Sequence, residues 1–177
     1  MAGDRPLSDR LPGIDPRLVG FFEAWRAIRA PGEVVPRREA FDPLAIPELL
    51  PDVFLYRLAD DGEDFLCRLA GERVNEAWGR SIRGLTLRQI VGERDHPTIR
   101  ARWARIVGTP ALHYGRVRER LSNQRLRRAE RLLLPLASAD GRIDWVLGVS
   151  LYTLESGDPA RPSLRPEDIV QIPCAEL

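Results

Sequence analysis

The stretch VFLYRLADDGEDFLCRLAGERVNEAWG, residues 53–79, decides the fold. Val53 to Leu58 is a short run of strand-forming residues, and Asp60-Asp61-Gly62 is a tight turn of the kind that joins hairpins. Asp64 to Ala70 is therefore read as the returning strand. From Gly71 to Gly79 the pattern becomes helical: Val74, Ala77 and Trp78 share one side, and Gly79 suits the left-handed residue that ends a helix.

Downstream, Thr86 caps a single helical turn from Leu87 to Val91. A longer helix starts near Asp95, with Pro97 in its first turn and Ile99, Trp103, Ile106 and Val107 as its apolar stripe; Gly108 and Pro110 end it. Ala111 to Leu121, Gln124 to Leu136 and Trp145 to Leu154 are strand-like runs, separated by Ser122-Asn123 and Ala139-Asp140-Gly141 at hairpin lengths. In the last run Trp145, Leu147, Val149 and Leu151 share one parity, as a central strand with a buried face requires. The tail, 155–177, holds prolines at 159, 162, 166 and 173 and reads as mostly irregular, with a turn at Pro166 to Val170.

Upstream, residues 1–14 read as a flexible leader. Asp15-Pro16 then opens a helix over 15–30, in which Leu18, Phe21, Phe22, Trp25 and Ile28 recur at helical spacing until Pro31-Gly32. So aromatic a stripe either packs on the molecule's own sheet or pairs with a partner, and aromatic anchors favour an interface. Val34 to Pro51, with four prolines, wraps the domain as short turns. The order is helix, two strands, three helical pieces, three strands: one α+β domain over 15–154.

Composition narrows the chemistry. The 177 residues, 44% hydrophobic and 30% charged, suit one compact domain. All 27 basic residues are arginine, which excludes Schiff-base lysines and phosphate-loop lysines. Cys67 and Cys174 lie 107 positions apart and read as free thiols in a reducing compartment, so a cytoplasmic setting is expected. No apolar run reaches the length of a signal or a membrane span, so no membrane insertion is expected. The formal charge of +1 is uneven: residues 94–131 hold eleven arginines against three acids. That strip reads either as solvated strand and helix faces or as an anion or nucleic-acid surface built on Arg116, Arg118, Arg120, Arg125, Arg127 and Arg128.

The segment Val74-Asn75-Glu76-Ala77-Trp78 followed by Gly84-Leu85-Thr86-Leu87, and the late runs Arg131 to Leu136 and Val146-Leu147-Gly148 around Asp140-Gly141, resemble the PAS sensor domain. Trp25, Phe41-Asp42-Pro43, Leu50-Pro51 and Phe65 to Gly71 are similar to a bacterial group of short, stand-alone PAS-like proteins, found mainly in alphaproteobacteria and first catalogued as a domain of unknown function. The resemblance spans about residues 18–154. It implies a five-stranded antiparallel sheet in order 2-1-5-4-3 with helices over one face, the N-terminal helix being additional. It also implies a non-catalytic role in signal sensing or protein association. PAS domains commonly associate through a helix before the first strand, which implies a homodimer through Leu18, Phe21, Phe22, Trp25 and Ile28, or a signalling-protein partner. A signal is expected to leave by association, since no output segment is read after residue 154.

Flavin-binding PAS domains carry an Asn-Cys-Arg-Phe-Leu-Gln helix, whereas Cys67 lies on the second strand, so flavin is not expected. Haem-binding members use a histidine on the long helix. Here only His96 lies near that helix start, and it reads as a capping or exposed residue; no haem and no other cofactor is expected. His96 and His113 are 17 positions apart with neither cysteine beside them, so no metal site is expected. Ser150 lies inside a strand without a nucleophile elbow, and no catalytic residue is assigned. A pocket enzyme using Asp95, His96 and His113 is the rival reading. A curved sheet under helices encloses a space that is either filled or hollow. Its candidate lining is Phe54, Tyr56, Arg68, Asn75, Trp78, His113, Ser150 and Tyr152, around an unidentified small molecule. Arg68 is the sharpest of these: pointing inward it needs an anion, pointing outward it is a surface charge.

Overall fold

A computed structural model describes residues 5–120, 126–154 and 168–177. The chain begins with helices α1 (Leu7–Arg10) and α2 (Pro16–Ala27). Asp15 caps α2 by accepting a hydrogen bond from the Arg17 backbone N–H at 2.9 Å, with Pro16 at the first helical position. Three short 3-10 turns follow, 38–40, 43–45 and 47–52, where the prolines forbid longer structure. The hairpin β1 (Val53–Leu58) and β2 (Phe65–Ala70) leads into α3 (Glu72–Trp78), which Gly79 ends at φ 67°. Helix α4 (Leu87–Val91) opens on a capping box between Thr86 and Gln89, and α5 (His96–Gly108) follows. Strands β3 (Ala111–Arg120), β4 (Leu126–Ala137), β5 (Ile143–Leu154) and β6 (Asp168–Pro173) complete the chain.

The strands form one antiparallel sheet in the order β2-β1-β5-β4-β3-β6. The expected five-strand order is present, but the sheet has six strands. The tail read as irregular supplies β6, which pairs along β3 from Ala111↔Pro173 to Arg116↔Asp168. As an edge strand, β6 tolerates the terminal Pro173, the residue that argued against regular structure. Residues 155–167, including the start of the turn expected at 166–170, lie outside the described residues.

Strand alternation gives the sheet two faces, and both are covered. On the outer face Leu55, Leu112, Leu132, Leu134, Leu147, Val149 and Leu151 pack with α1, α2 and the wrapping turns. On the inner face Phe54, Tyr56, Leu133 and Val146 pack with Val74, Leu87, Ile90, Trp103 and Ile106 from α3 to α5. Double coverage explains why residues 132–137 of β4 and 145–152 of β5 read as almost continuous apolar runs. It also corrects the expectation that helices cover only one face.

Two further expectations change. Residues 5–14, read as part of a flexible leader, bury Leu7, Leu11 and Ile14 in the outer core. The stripe of α2 offered as a dimer surface is spent on the molecule's own sheet: Leu18, Phe21, Phe22 and Trp25 are buried, Ile28 packs against them, and Trp25 Nε1 donates to the Pro135 carbonyl at 2.9 Å. Each such side chain contributes about 1.5–3 kcal/mol on full burial, an incentive available without any partner. Among the described residues no helix is long and apolar enough to cross a membrane.

Candidate functional site

Between α3, α4 and α5 and the inner face of the sheet lies a cleft of about 340 Å³. Inner-facing position 148 is glycine, and a Cβ there would overlap the Phe54 ring and come within 2.7 Å of Leu133 Cδ2. The Phe54 ring therefore occupies the space over Gly148 that a side chain there would need. Gly115 and Val117, inner-facing on β3, add little bulk to the wall they share.

An aromatic wall forms one side. Trp103, brought down by α5, stacks on Phe54 with centroids 6.2 Å apart and planes 9° apart. Tyr56 and Phe65 meet Trp103 edge-on at 4.8 and 5.5 Å. Such stacked and edge-to-face pairs fix the rings' orientation beyond what their burial supplies. Val74, Leu87, Ile90 and Leu133 continue the apolar lining.

The corner beside it is polar. Arg131 on β4 lies directly across from Ser150 on β5 and donates from Nε to Ser150 Oγ at 2.6 Å, with its terminal nitrogen 3.5 Å from the Tyr152 hydroxyl. The same guanidinium stands 5.9 Å from the Phe54 ring centroid, so the cation adjoins the aromatic wall. Arg102 lines the cleft from α5 and Asp95 from the residue before that helix. His113 is buried, and Gln171 Nε2 of β6 donates to its Nδ1 at 3.2 Å. Burial, reinforced by the charges of Arg131 and Arg102, pushes the His113 imidazole down to about 4. It is neutral at pH 7. Burial likewise holds the Tyr56 phenol well above its ordinary range and the Cys67 thiol up at about 11, so both stay protonated.

The structure brings together Phe54, Tyr56, Trp78, His113 and Tyr152 of the expected lining. Ser150 is fully buried one step behind it, reaching the cleft through Arg131. Arg68 is not there. The β1–β2 register runs from Leu55↔Leu69 to Tyr56↔Cys67, so a bulge at Arg68 turns this side chain out to solvent on an edge strand. Asn75 is structural: its amide bonds the Ala70 carbonyl at 3.3 Å and the Ile82 backbone N–H at 3.0 Å, fixing the turn after α3.

His96 is neither a cap nor exposed; it is buried, and its Nε2 lies 3.0 Å from Asp64 Oδ1. Asp64 also accepts from the backbone N–H groups of Phe65 and Arg88, tying the hairpin turn to α4 and α5. Burial alone would raise the Asp64 carboxyl, but these hydrogen bonds hold it below the usual carboxylate range. Of the rival acid–base set, Asp95 and His113 line the cleft and His96 does not. Among the described residues no three His, Cys, Asp or Glu side chains gather to hold a metal ion. Of the basic hairpin, the side chains of Arg118, Arg120, Arg125 and Arg127 lie outside the described residues; Arg116 and Arg128 are exposed.

Sequence reasoning missed Arg131, Arg102 and the role of Trp103 in the wall. A signal existed for Arg131. Aligning β4 with β5 as a hairpin sets it opposite Ser150 and two positions from the inner-facing Leu133 and Ala129 parity, where an arginine between apolar residues needs acceptors.

A search of curated proteins returns no match. Among solved structures, the crystal structure of the Rhodobacter sphaeroides LOV protein is similar at a TM-score of 0.48 and 17% identity, over 77% of this chain and 68% of that one. The structure of an RNA-binding Light-Oxygen-Voltage receptor is similar at 0.46 and 16%, over 70% of this chain and 36% of that one. The family model of the PAS domain matches residues 15–151. The chain belongs to the PAS domain family.

Proposed function

We propose that this PAS domain is a non-catalytic sensory module that holds a small molecule between α3–α5 and the sheet, and passes on the state of the cleft by association. The observation that carries the reading is the cleft itself. Its aromatic wall and the few polar groups beside it match the composition of small-ligand sites, which are mostly apolar with a few orienting polar groups. A catalytic reading has less support. His113 faces an amide, Gln171, in place of a nucleophile or carboxylate, and a neutral imidazole near 4 is a weak base at pH 7. Flavin by way of a cysteine is likewise disfavoured, because Cys67 lies on β2 outside the cleft lining and α3 contains no cysteine. The two free, buried thiols support a reducing, cytoplasmic setting. Because the α2 stripe is occupied by its own sheet, a second copy or a signalling protein would be met on another surface.

The test is native mass spectrometry of the gently purified protein, beside a Gly115→Trp variant that fills the cleft. The reading expects a mass excess of small-molecule size that denaturation releases and the variant lacks. Its refutation is a wild-type mass equal to the bare polypeptide, or an excess that survives in a folded Gly115→Trp.

A further inference from the structure

Resting on that cleft reading, we infer that the ligand is a small aromatic carboxylate, its ring laid against Trp103 and Phe54 and its acid directed to the corner formed by Arg131 and Arg102. Three observations converge on this class. The wall presents rings in a fixed, nearly parallel arrangement, with Tyr56 edge-on to them, which favours a flat apolar body over a branched one. The corner is rich in donors. Arginine lines the cleft from both the sheet and α5, both charges reach His113, and the phenol of Tyr152 stands beside Arg131.

A guanidinium carries five N–H donors in a planar fork, so it can serve protein acceptors and a carboxylate together. Ser150 and the Phe54 ring hold the Arg131 side chain in place before any ligand arrives, which lowers the ordering cost of binding. The third observation is the balance of charge. Among the described residues two arginines and one aspartate line the cleft, and His113, held neutral at pH 7 first by burial and then by the Arg131 and Arg102 charges, adds none. Walls of low dielectric strengthen the field of these charges for an entering anion. A volume of about 340 Å³ lies at the small end of ligand sites, which suits a single-ring acid.

The distance between ring and charge is set by the chain. The Arg131 guanidinium lies 5.9 Å from the Phe54 centroid, so a ring seated on the wall needs only a short arm to bring its acid to the corner. Phenylacetate has this shape. The experiment is isothermal titration with phenylacetate, phenylacetamide and acetate, using wild type, Arg131→Gln and Arg102→Gln.

Phenylacetate is expected to bind at least about tenfold more tightly than either phenylacetamide, which keeps the ring without the charge, or acetate, which keeps the charge without the ring. Either arginine variant should bring phenylacetate close to the amide and leave the amide unchanged. Arg102→Gln provides this readout if loss of the Ser150 partner unfolds Arg131→Gln. Equal binding of acid and amide overturns the carboxylate, and equal binding of acetate overturns the ring. If none of the three binds, the ligand class is wrong. The cleft reading then falls with it only where native mass spectrometry also finds the wild-type cleft without cargo.

Discussion

Acidification below pH 6.5 should destabilise this protein through His113. The imidazole has an ordinary value of 6.5 and lies at about 4 in the folded chain, because burial and the Arg131 and Arg102 guanidiniums disfavour its charged form. Below 6.5 the unfolded chain takes up a proton that the folded chain refuses, so stability falls as pH falls. The contribution is complete above 6.5 and is lost on the way down to about 4. The full interval is worth about 3 kcal/mol, of which about 2 kcal/mol is lost by pH 5.

Urea unfolding of wild type and His113→Gln at pH 7 and pH 5 measures it. Glutamine keeps an acceptor for Gln171 and cannot take up a proton. Wild type is expected to lose about 2 kcal/mol more than the variant between the two conditions. Asp15 and Asp64, held below 3.8, remain ionised at pH 5 and are common to both proteins. Parallel losses in the two proteins would refute the reasoning, since His113 would then be titrating as in the unfolded chain.

Three substitutions test the packing. Trp25→Ala should cost about 3–5 kcal/mol in chemical denaturation without changing the elution volume in sizing; dissociation of an oligomer at unchanged stability would restore α2 as an interface. Gly148→Ala should cost about 1–3 kcal/mol and weaken cleft binding, because its methyl group must displace the Phe54 ring. A variant with wild-type melting temperature and binding would mean that the ring is not seated there. Leu11→Ala should cost about 2–5 kcal/mol, as a core residue does; a change within 0.5 kcal/mol, the usual range for exposed positions, would return the N-terminal segment to a loose leader.

Much of the fold was legible because local rules and burial agreed. Asp15-Pro16, Thr86 and Gly79 mark helix ends by chemistry that depends only on neighbours, and each lies where its cap was placed. Residues 53–58 form their strand with the expected ends for the same reason. The misses are all cases where distant pairing decided. Leu7, Leu11 and Ile14 have helical spacing but stand among prolines and glycines, and only the outer face of the sheet makes their burial worthwhile. Strand β6 is ordered by the free edge of β3, which no local pattern announces.

The site shows the same division. Phe54, Tyr56, His113 and Tyr152 follow from strand parity once β1, β3 and β5 are accepted. Arg68 failed because it alternates with the inner-facing Phe65 and Cys67, and the bulge beside it leaves its side chain in solvent on the edge strand. Arg131 was hidden within a run read only for its apolar neighbours. Its role emerges when Ser150 is set opposite it.

The central claim, that the inner cleft is the place where a small molecule is held, is tested most directly by backbone amide NMR shifts on titration with phenylacetate. The account predicts shifts that saturate and cluster on Tyr56, Trp103, His113, Arg131 and Tyr152, while Trp25 and the outer face stay still. Saturating shifts centred on the outer face would contradict it, as would no shifts on the inner face together with a wild-type protein that carries no cargo in native mass spectrometry.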